Sequence, residues 1–154
     1  MAEEGSGKCV MDSKTAAEAL RQVWEGDDFP APKQILSNVK AEDAAAIPDG
    51  FKYSLLTLVE HCNLWNGIWV GRLVDRKRPD MTKDWRVPKP PEWPDVRRRF
   101  LEGMEEALAI AEAKPFRHKM KSNEAAVKTL LNIAVHTAYH VGQFVLVKRA
   151  VRGK

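Results

Sequence analysis

Residues 130–146 form a stretch without any Asp, Glu, Lys or Arg, and it contains two histidines, His136 and His140. On a helix, residues four apart share one face with their Cβ atoms about 6 Å apart, so both imidazoles can approach one point. Gln143 lies on the same face. Two buried imidazoles need partners. The pair therefore indicates metal chelation, and a surface pair or a satisfied core pair is the alternative interpretation.

Apolar residues recur every three to four positions in four segments, which predicts long helices over residues 13–25, 54–73, 94–113 and 122–150. One or two short helices are expected between the first two, over residues 33–39 and 42–46. No run alternates as a strand would. The predicted fold class is all-α, a four-helix bundle with a long, partly helical connection between its first and second helices.

The length of 154 residues suits one domain, which we place at residues 12–154 after a disordered, Gly-rich leader over residues 1–11. The leader has no apolar signal core, and the apolar runs look too short and interrupted to span a bilayer. Cys9 and Cys62 form neither a disulfide framework nor a metal pair, which favours a reduced, cytoplasmic protein. We expect no membrane anchor.

Charge gives no indication of a nucleic-acid partner. The formal net charge is +4, from 25 basic and 21 acidic residues. These charges are scattered along the chain and are not interleaved with aromatic residues, as they would be in a basic binding stripe. We therefore expect a small-molecule substrate and no nucleic acid.

Residues 75–94 are unlike the helical segments, since they contain five prolines and two tryptophans, Trp85 and Trp93. A loop of this length in a compact domain is usually functional or disordered, and the tryptophans indicate that it packs down. Two interpretations remain open. The loop is either a lid over a site or a connection whose tryptophans close the end of the bundle.

For three further side chains, the residues around them favour a structural role over a functional one. His61 lies in the second long helix, where a single histidine is more often a core or surface residue than a ligand. His118 falls in a basic loop and is expected to be solvated. Cys62 points about 100° around the helix from His61, so we assign it to packing.

Taken together, several motifs resemble the DinB-like helical bundle superfamily, and the resemblance covers roughly residues 14–151. The most specific are His136-x-x-x-His140-x-Gly142-Gln143 near the C-terminus and His61-x-x-x-Trp65, with Ser54 upstream, in the second helix. Other matching positions are Trp24-Glu25-Gly26, Ala44, Pro48-Asp49-Gly50 and Trp93.

The resemblance implies a metal site of three histidines, which map onto His61, His136 and His140. It implies zinc or nickel as the metal, and a homodimer as the assembly. Better-characterised relatives use low-molecular-weight thiols in S-transfer or isomerisation, and others resemble hydrolases. The expected function is therefore a metal-dependent enzyme of the thiol S-transferase or hydrolase type. Gln143 either contacts substrate or supports a ligand.

Three neutral imidazoles leave at least one coordination position open, where a bound water or thiol would lose a proton near neutral pH. Each ligating histidine needs an acceptor for its second nitrogen. Candidate acceptors are Thr57, Glu60, Asn132 and Gln143. Tyr139 is expected to pack between helices, and Glu60, beside His61, is poorly aimed to act as a base.

Two other functions compete with the enzyme. One is a non-enzymatic bundle, such as a stress-response dimer, whose histidines bind metal adventitiously or contact only each other. The other is a binder of small hydrophobic ligands that uses an apolar pocket beside the histidines.

Overall fold

The computed structural model describes residues 12–153, and every regular element in that range is helical. The four predicted long helices are present, with ends within two residues of those expected, and they surround one apolar core. The helices are α1 (Ser13–Glu25), α2 (Pro32–Ile35), α3 (Ala41–Ala45), α4 (Leu55–Val74), α5 (Trp93–Glu112) and α6 (Asn123–Arg152). Two 3-10 turns lie at Met81–Lys83 and Pro90–Glu92. The predicted leader over residues 1–11 lies outside the described residues.

Side-chain caps explain where three of the long helices begin. The carboxylate of Asp12 accepts a hydrogen bond from the Lys14 amide at the start of α1. The hydroxyls of Ser54 and Ser122 do the same at α4 and α6. Such caps satisfy amides that have no partner within the helix. In α5, Pro94 sits in the first turn, where its missing N–H costs nothing.

The four long helices form a ring in which α4 packs against α5 and α6, and α1 packs against the same two helices. Their facing sides bury the apolar residues whose spacing predicted the helices. Phe100 of α5 and Phe144 of α6 are fully buried and meet edge to face, with ring centroids 5.7 Å apart. The all-helical bundle predicted from the sequence is confirmed.

The connection between α1 and α4 contains both short helices, but α2 ends at Ile35, earlier than the predicted residue 39. Asn38 adopts a left-handed conformation with φ 53°, which a continuing helix cannot accommodate. At Gly26, φ is 73° and a Cβ would lie 2.5 Å from the Phe29 carbonyl oxygen, so this turn requires glycine.

The two tryptophans of the long loop have separate positions. Trp93 is 3% exposed, and its indole N–H donates to the carbonyl of Val39 at 2.9 Å. It closes the end of the bundle, as one of the two interpretations predicted. Trp85 does not take part in closing that end of the bundle. It lies over a histidine ring in the site described below.

By length and composition alone, α6 could cross a membrane, so the expectation that no apolar run is long enough was wrong for this helix. In the most apolar 18-residue segment of this helix, 44% is buried inside the protein. The buried residues face α1 and α4, as expected for a central helix of a bundle.

The first prediction concerns this core. Replacing Phe100 by alanine should lower the free energy of unfolding by about 3–5 kcal/mol, because it leaves a cavity against Phe144. Urea denaturation followed by circular dichroism measures the change. The control is Val87→Ala, whose side chain is 73% exposed and whose effect should stay within about 0.5 kcal/mol. Equal losses in both variants would contradict the assignment of Phe100 to the core.

Candidate metal centre

Three histidine side chains converge between α4 and α6. Nε2 of His136 lies 3.2 Å from Nε2 of His61 and 3.1 Å from Nε2 of His140. The potential ligand atoms of all three lie within 4.8 Å of one another. Because α4 and α6 are neighbours in the ring, His61 reaches the pair that the spacing on α6 places on one face. The structure thus brings together the three histidines implied by the resemblance.

The outer nitrogens of two of these rings have hydrogen-bond partners. His61 Nδ1 lies 2.6 Å from a carboxylate oxygen of Asp84, and His140 Nδ1 lies 2.6 Å from the side-chain oxygen of Gln143. Both oxygens can only accept, so both Nδ1 atoms carry the proton. In a neutral imidazole the other nitrogen then has a lone pair. The Nε2 lone pairs of His61 and His140 are therefore directed toward His136.

His136 Nε2 cannot satisfy both neighbours. It could donate its single N–H to His61 or to His140, but one lone pair would still face a nitrogen without a proton between them. A cation at the centre would accept all three lone pairs at once. Two nitrogens on a tetrahedral zinc, each about 2.0–2.1 Å from it, are about 3.4 Å apart, close to the two short separations observed. The spacing and the donor chemistry both fit a divalent metal.

The remaining nitrogen, His136 Nδ1, is buried and has no hydrogen-bond partner among the described residues. If Nε2 binds a metal, Nδ1 carries an N–H that needs an acceptor. Buried donors are rarely left unpaired in folded proteins. A proton on this atom therefore has no protein acceptor within residues 12–153.

Burial keeps the α6 histidines neutral. Burial, which is the largest cause, and the proximity of His140 and His61 together lower the pKa of His136 to about 4, against the charge of Asp84. Burial also lowers the pKa of His140, against the hydrogen bond with Gln143. Neutral imidazole is the form that binds metals. Both α6 histidines are thus held in that form at neutral pH.

Aromatic rings surround the cluster. Trp85 stacks on His61 with ring centroids 3.7 Å apart and planes 13° apart, and Tyr53 stacks on the other side of Trp85 at 4.2 Å. Trp69 meets His136 edge to face at 5.1 Å. These walls partly shield the rings from water and so strengthen electrostatic interactions at the centre.

Several expectations about neighbouring residues need correction. Of the four candidate acceptors, only Gln143 bonds to a ligand histidine. The Thr57 hydroxyl bonds to Ser54, and the Glu60 carboxylate accepts hydrogen bonds from Arg86 and Arg99. Asn132 is exposed. Their spacing places them near the site, but Thr57 and Glu60 have closer partners, and the Asn132 side chain is exposed to solvent.

Tyr139 was predicted to pack between helices, which was wrong. It is 66% exposed and only its ring edge meets His140, at 5.0 Å. His118 was expected to be solvated but is half-buried, bonded to Asn123 and to the Met120 amide, and it does not belong to the cluster. Cys62 is fully buried, as predicted, and burial raises its thiol pKa well above the ordinary value.

Sequence reasoning missed Asp84. It lies 23 residues after His61, in the Pro-rich loop, and no spacing rule connects the two positions. The one available signal was its neighbour Trp85, whose size predicted that this loop packs against the domain. The loop does pack there, and it brings a carboxylate with it.

Comparison with known proteins gives one match. A family model described as the DinB superfamily matches residues 33–143, a range that contains all three clustered histidines and Gln143. A search of curated proteins and a search of solved structures gave no match.

The second prediction concerns the metal-free protein. Since the folded-state pKa of His136 lies near 4, below the ordinary value of about 6.5, the unfolded chain binds more protons between these values. Stability should therefore be fully present above about pH 6.5 and decline as the pH falls toward 4. Thermal unfolding in the presence of a chelator across this range measures the decline.

His136→Gln is the matched comparison, because it removes this titration and leaves the carboxylates unchanged. Its stability should fall less steeply over the same interval. Identical pH profiles for the two proteins would show that His136 is not held neutral by the fold.

Proposed function

We propose that this chain, which belongs to the DinB superfamily, binds one divalent metal ion through Nε2 of His61, His136 and His140. The observation that carries the proposal is the convergence of three imidazole nitrogens, two of which must present lone pairs because Asp84 and Gln143 accept from their Nδ1 atoms. A cation would accept all three lone pairs, whereas on neutral rings the single N–H of His136 Nε2 can serve only one of the two neighbouring lone pairs.

Zinc is the proposed metal, with nickel as the alternative. Imidazole ligands suit either ion, and three of them without a thiolate or a ligating carboxylate resemble the protein part of a catalytic zinc site. Such a site retains an open position, and a metal held there lowers the pKa of a bound water or thiol toward neutrality. We therefore propose a metal-dependent enzyme that activates water or a low-molecular-weight thiol, as a hydrolase or a thiol S-transferase.

The chain's own side chains then orient and shield the reacting group. Gln143 holds the ring of His140, and its side-chain amide lies 3.5 Å from the Tyr139 hydroxyl, so this pair links the ligand to the exposed surface of α6. Trp69 and Trp85 border the histidines and limit the entry of water.

Neither Glu60 nor Cys62, which flank His61 in the chain, serves as a base or a nucleophile in this proposal. Glu60 accepts hydrogen bonds from Arg86 and Arg99 as well as from Asn63. Burial opposes its ionisation, but these bonds and the charge of Arg99 outweigh burial and lower the pKa of Glu60. Cys62 is buried with a raised thiol pKa. In this proposal the nucleophile is therefore a metal-bound water or thiol, or a group of the substrate.

The third prediction tests metal binding. The wild-type protein, purified without a nickel column, should contain about one divalent metal ion per chain when measured by inductively coupled plasma mass spectrometry. Replacing His61, His136 or His140 by alanine should abolish stoichiometric metal, because two imidazoles leave the site with too few protein ligands. His118→Ala is the matched control and should retain the metal, since its ring bonds to Asn123 instead.

Full metal content in the triple alanine variant would place the site elsewhere. The metal-loaded wild type is then screened for thiol transfer and for ester and amide hydrolysis, with His140→Ala as the blank. Activity that is absent from the blank supports the enzyme. A metal-loaded protein silent in every assay would favour the non-enzymatic alternative.

We also propose a homodimer, in which the exposed apolar face of α6 is covered by a second copy. Val135, Tyr139 and Leu146 recur at helical spacing on this face and are 70%, 66% and 57% exposed. Gly142 lies between them with open space around it. An apolar stripe of this length on one helix is the type of surface that mediates association.

The fourth prediction tests this assembly. Light scattering of the wild type should give twice the chain mass of 17.4 kDa. Leu146→Glu should shift the protein to the single-chain mass, because it places a charge in the apolar contact. Val87→Glu, at a loop residue that is 73% exposed, is the control and should leave the dimer intact. A wild type that stays at the single-chain mass at high concentration would exclude the homodimer.

A further inference from the structure

The Asp84 carboxylate is fixed by three donors. One oxygen accepts from His61 Nδ1 at 2.6 Å and from the Trp85 backbone N–H at 3.0 Å. The other accepts from the indole N–H of Trp65 at 3.3 Å. The side chain is 23% exposed. A carboxylate held in this way has little freedom to turn from the imidazole, so the orientation of His61 is coupled to the loop that carries Asp84.

That loop is anchored to the same turn of α4 that carries His61. The Arg86 guanidinium donates to the Glu60 carboxylate at 2.5 and 3.1 Å, and to Glu92 at 2.8 Å. Glu60 precedes His61 in the chain, and its side chain is 13% exposed. Arg99 of α5 donates to the same carboxylate at 2.8 Å. The position of Asp84 is therefore fixed relative to the ligand helix by charge pairs that share the mostly buried Glu60 carboxylate.

The backbone at Trp85 supports the same conclusion. Its φ is 59°, a left-handed conformation that a bulky L-residue rarely adopts. In this conformation the indole stacks on the face of His61 while the preceding carboxylate lies at the edge of the same ring. Strained residues of this kind cluster at functional sites, where the surrounding structure maintains them.

We propose that Asp84 is a positioning residue of the metal centre. It accepts from Nδ1–H of His61, which fixes that tautomer and directs the Nε2 lone pair toward His136 and His140. A carboxylate behind a ligating imidazole also makes the metal-bound nitrogen more basic. The role rests on the proposed metal function, but its first effect, on the proton of His61, exists without any metal.

The substitution that tests the role is Asp84→Asn, with Asp84→Ala as the second variant. Asparagine has nearly the same shape, but its NH2 group must face either the His61 N–H or the Trp65 N–H, so it cannot accept from both. Zinc affinity, measured by competition with a chromophoric chelator, should weaken roughly 10- to 100-fold in both variants. Asp80→Asn is the matched control. Asp80 lies in the same loop and bonds only within its own turn, to Thr82, so affinity should be unchanged.

The tautomer of His61 provides a readout that loss of folding stability would not imitate. Nitrogen-15 NMR of the metal-free protein, at a pH where imidazole is neutral, should show the Nδ1–H form of His61 in the wild type and in Asp80→Asn. Asp84→Ala, which removes the acceptor, should lose the dominance of that form while its circular dichroism remains helical. Asp84→Asn, whose amide oxygen can still face the His61 N–H, should retain more of that form than Asp84→Ala.

An Nε2–H form of His61 in the wild type, or unchanged zinc affinity in both Asp84 variants, would overturn the role of Asp84. A wild type that bound no zinc would instead refute the proposed function. The NMR measurement on the metal-free protein would still decide whether Asp84 fixes the proton of His61.

Discussion

Hydrogen bonds from two imidazole Nδ1 atoms, to Asp84 and to Gln143, determine the direction of the lone pairs at the centre of this protein. Once these protons are assigned, His136 has no arrangement of its own proton that satisfies both neighbouring rings. The cost of burying unpaired polar groups makes this arrangement unfavourable for the isolated chain. A bound cation would convert the same geometry into a favourable one, which is the physical basis of the proposed metal site.

The bundle supplies the rigidity that such a cluster needs. His61 and the α6 pair belong to adjacent long helices whose facing sides are buried in the apolar core. A close-packed interior does not allow the ligand helices to drift apart when the site is empty. The loop over residues 75–92 adds a third wall, and charge pairs at Glu60 join it to α4 and α5. The site is therefore largely preformed, and binding a metal would cost little reorganisation.

The sequence predicted those parts of the structure that depend on local spacing. Apolar periodicity predicts α1, α4, α5 and α6, and a separation of four residues predicts that His136 and His140 converge. His61 is different, because its spacing alone favours a core or surface histidine and only the resemblance to a family marks it as a ligand. Asp84 escaped prediction because its contact with His61 depends on the path of a loop and on a left-handed residue at Trp85. Tyr139 was misplaced because helical spacing tells which residues share a face, but not whether another helix covers that face.

The burial of Cys62 has a consequence for redox chemistry. This cysteine is adjacent to a ligand histidine, yet its thiol is inaccessible, and burial disfavours the thiolate. Disulfide exchange and oxidation to sulfenic acid both require an exposed thiolate. If small thiols react at the proposed metal site, an accessible cysteine here would form mixed disulfides one residue from His61. With Cys62 in the core, the centre can encounter thiols and their disulfides without capturing them covalently at that position.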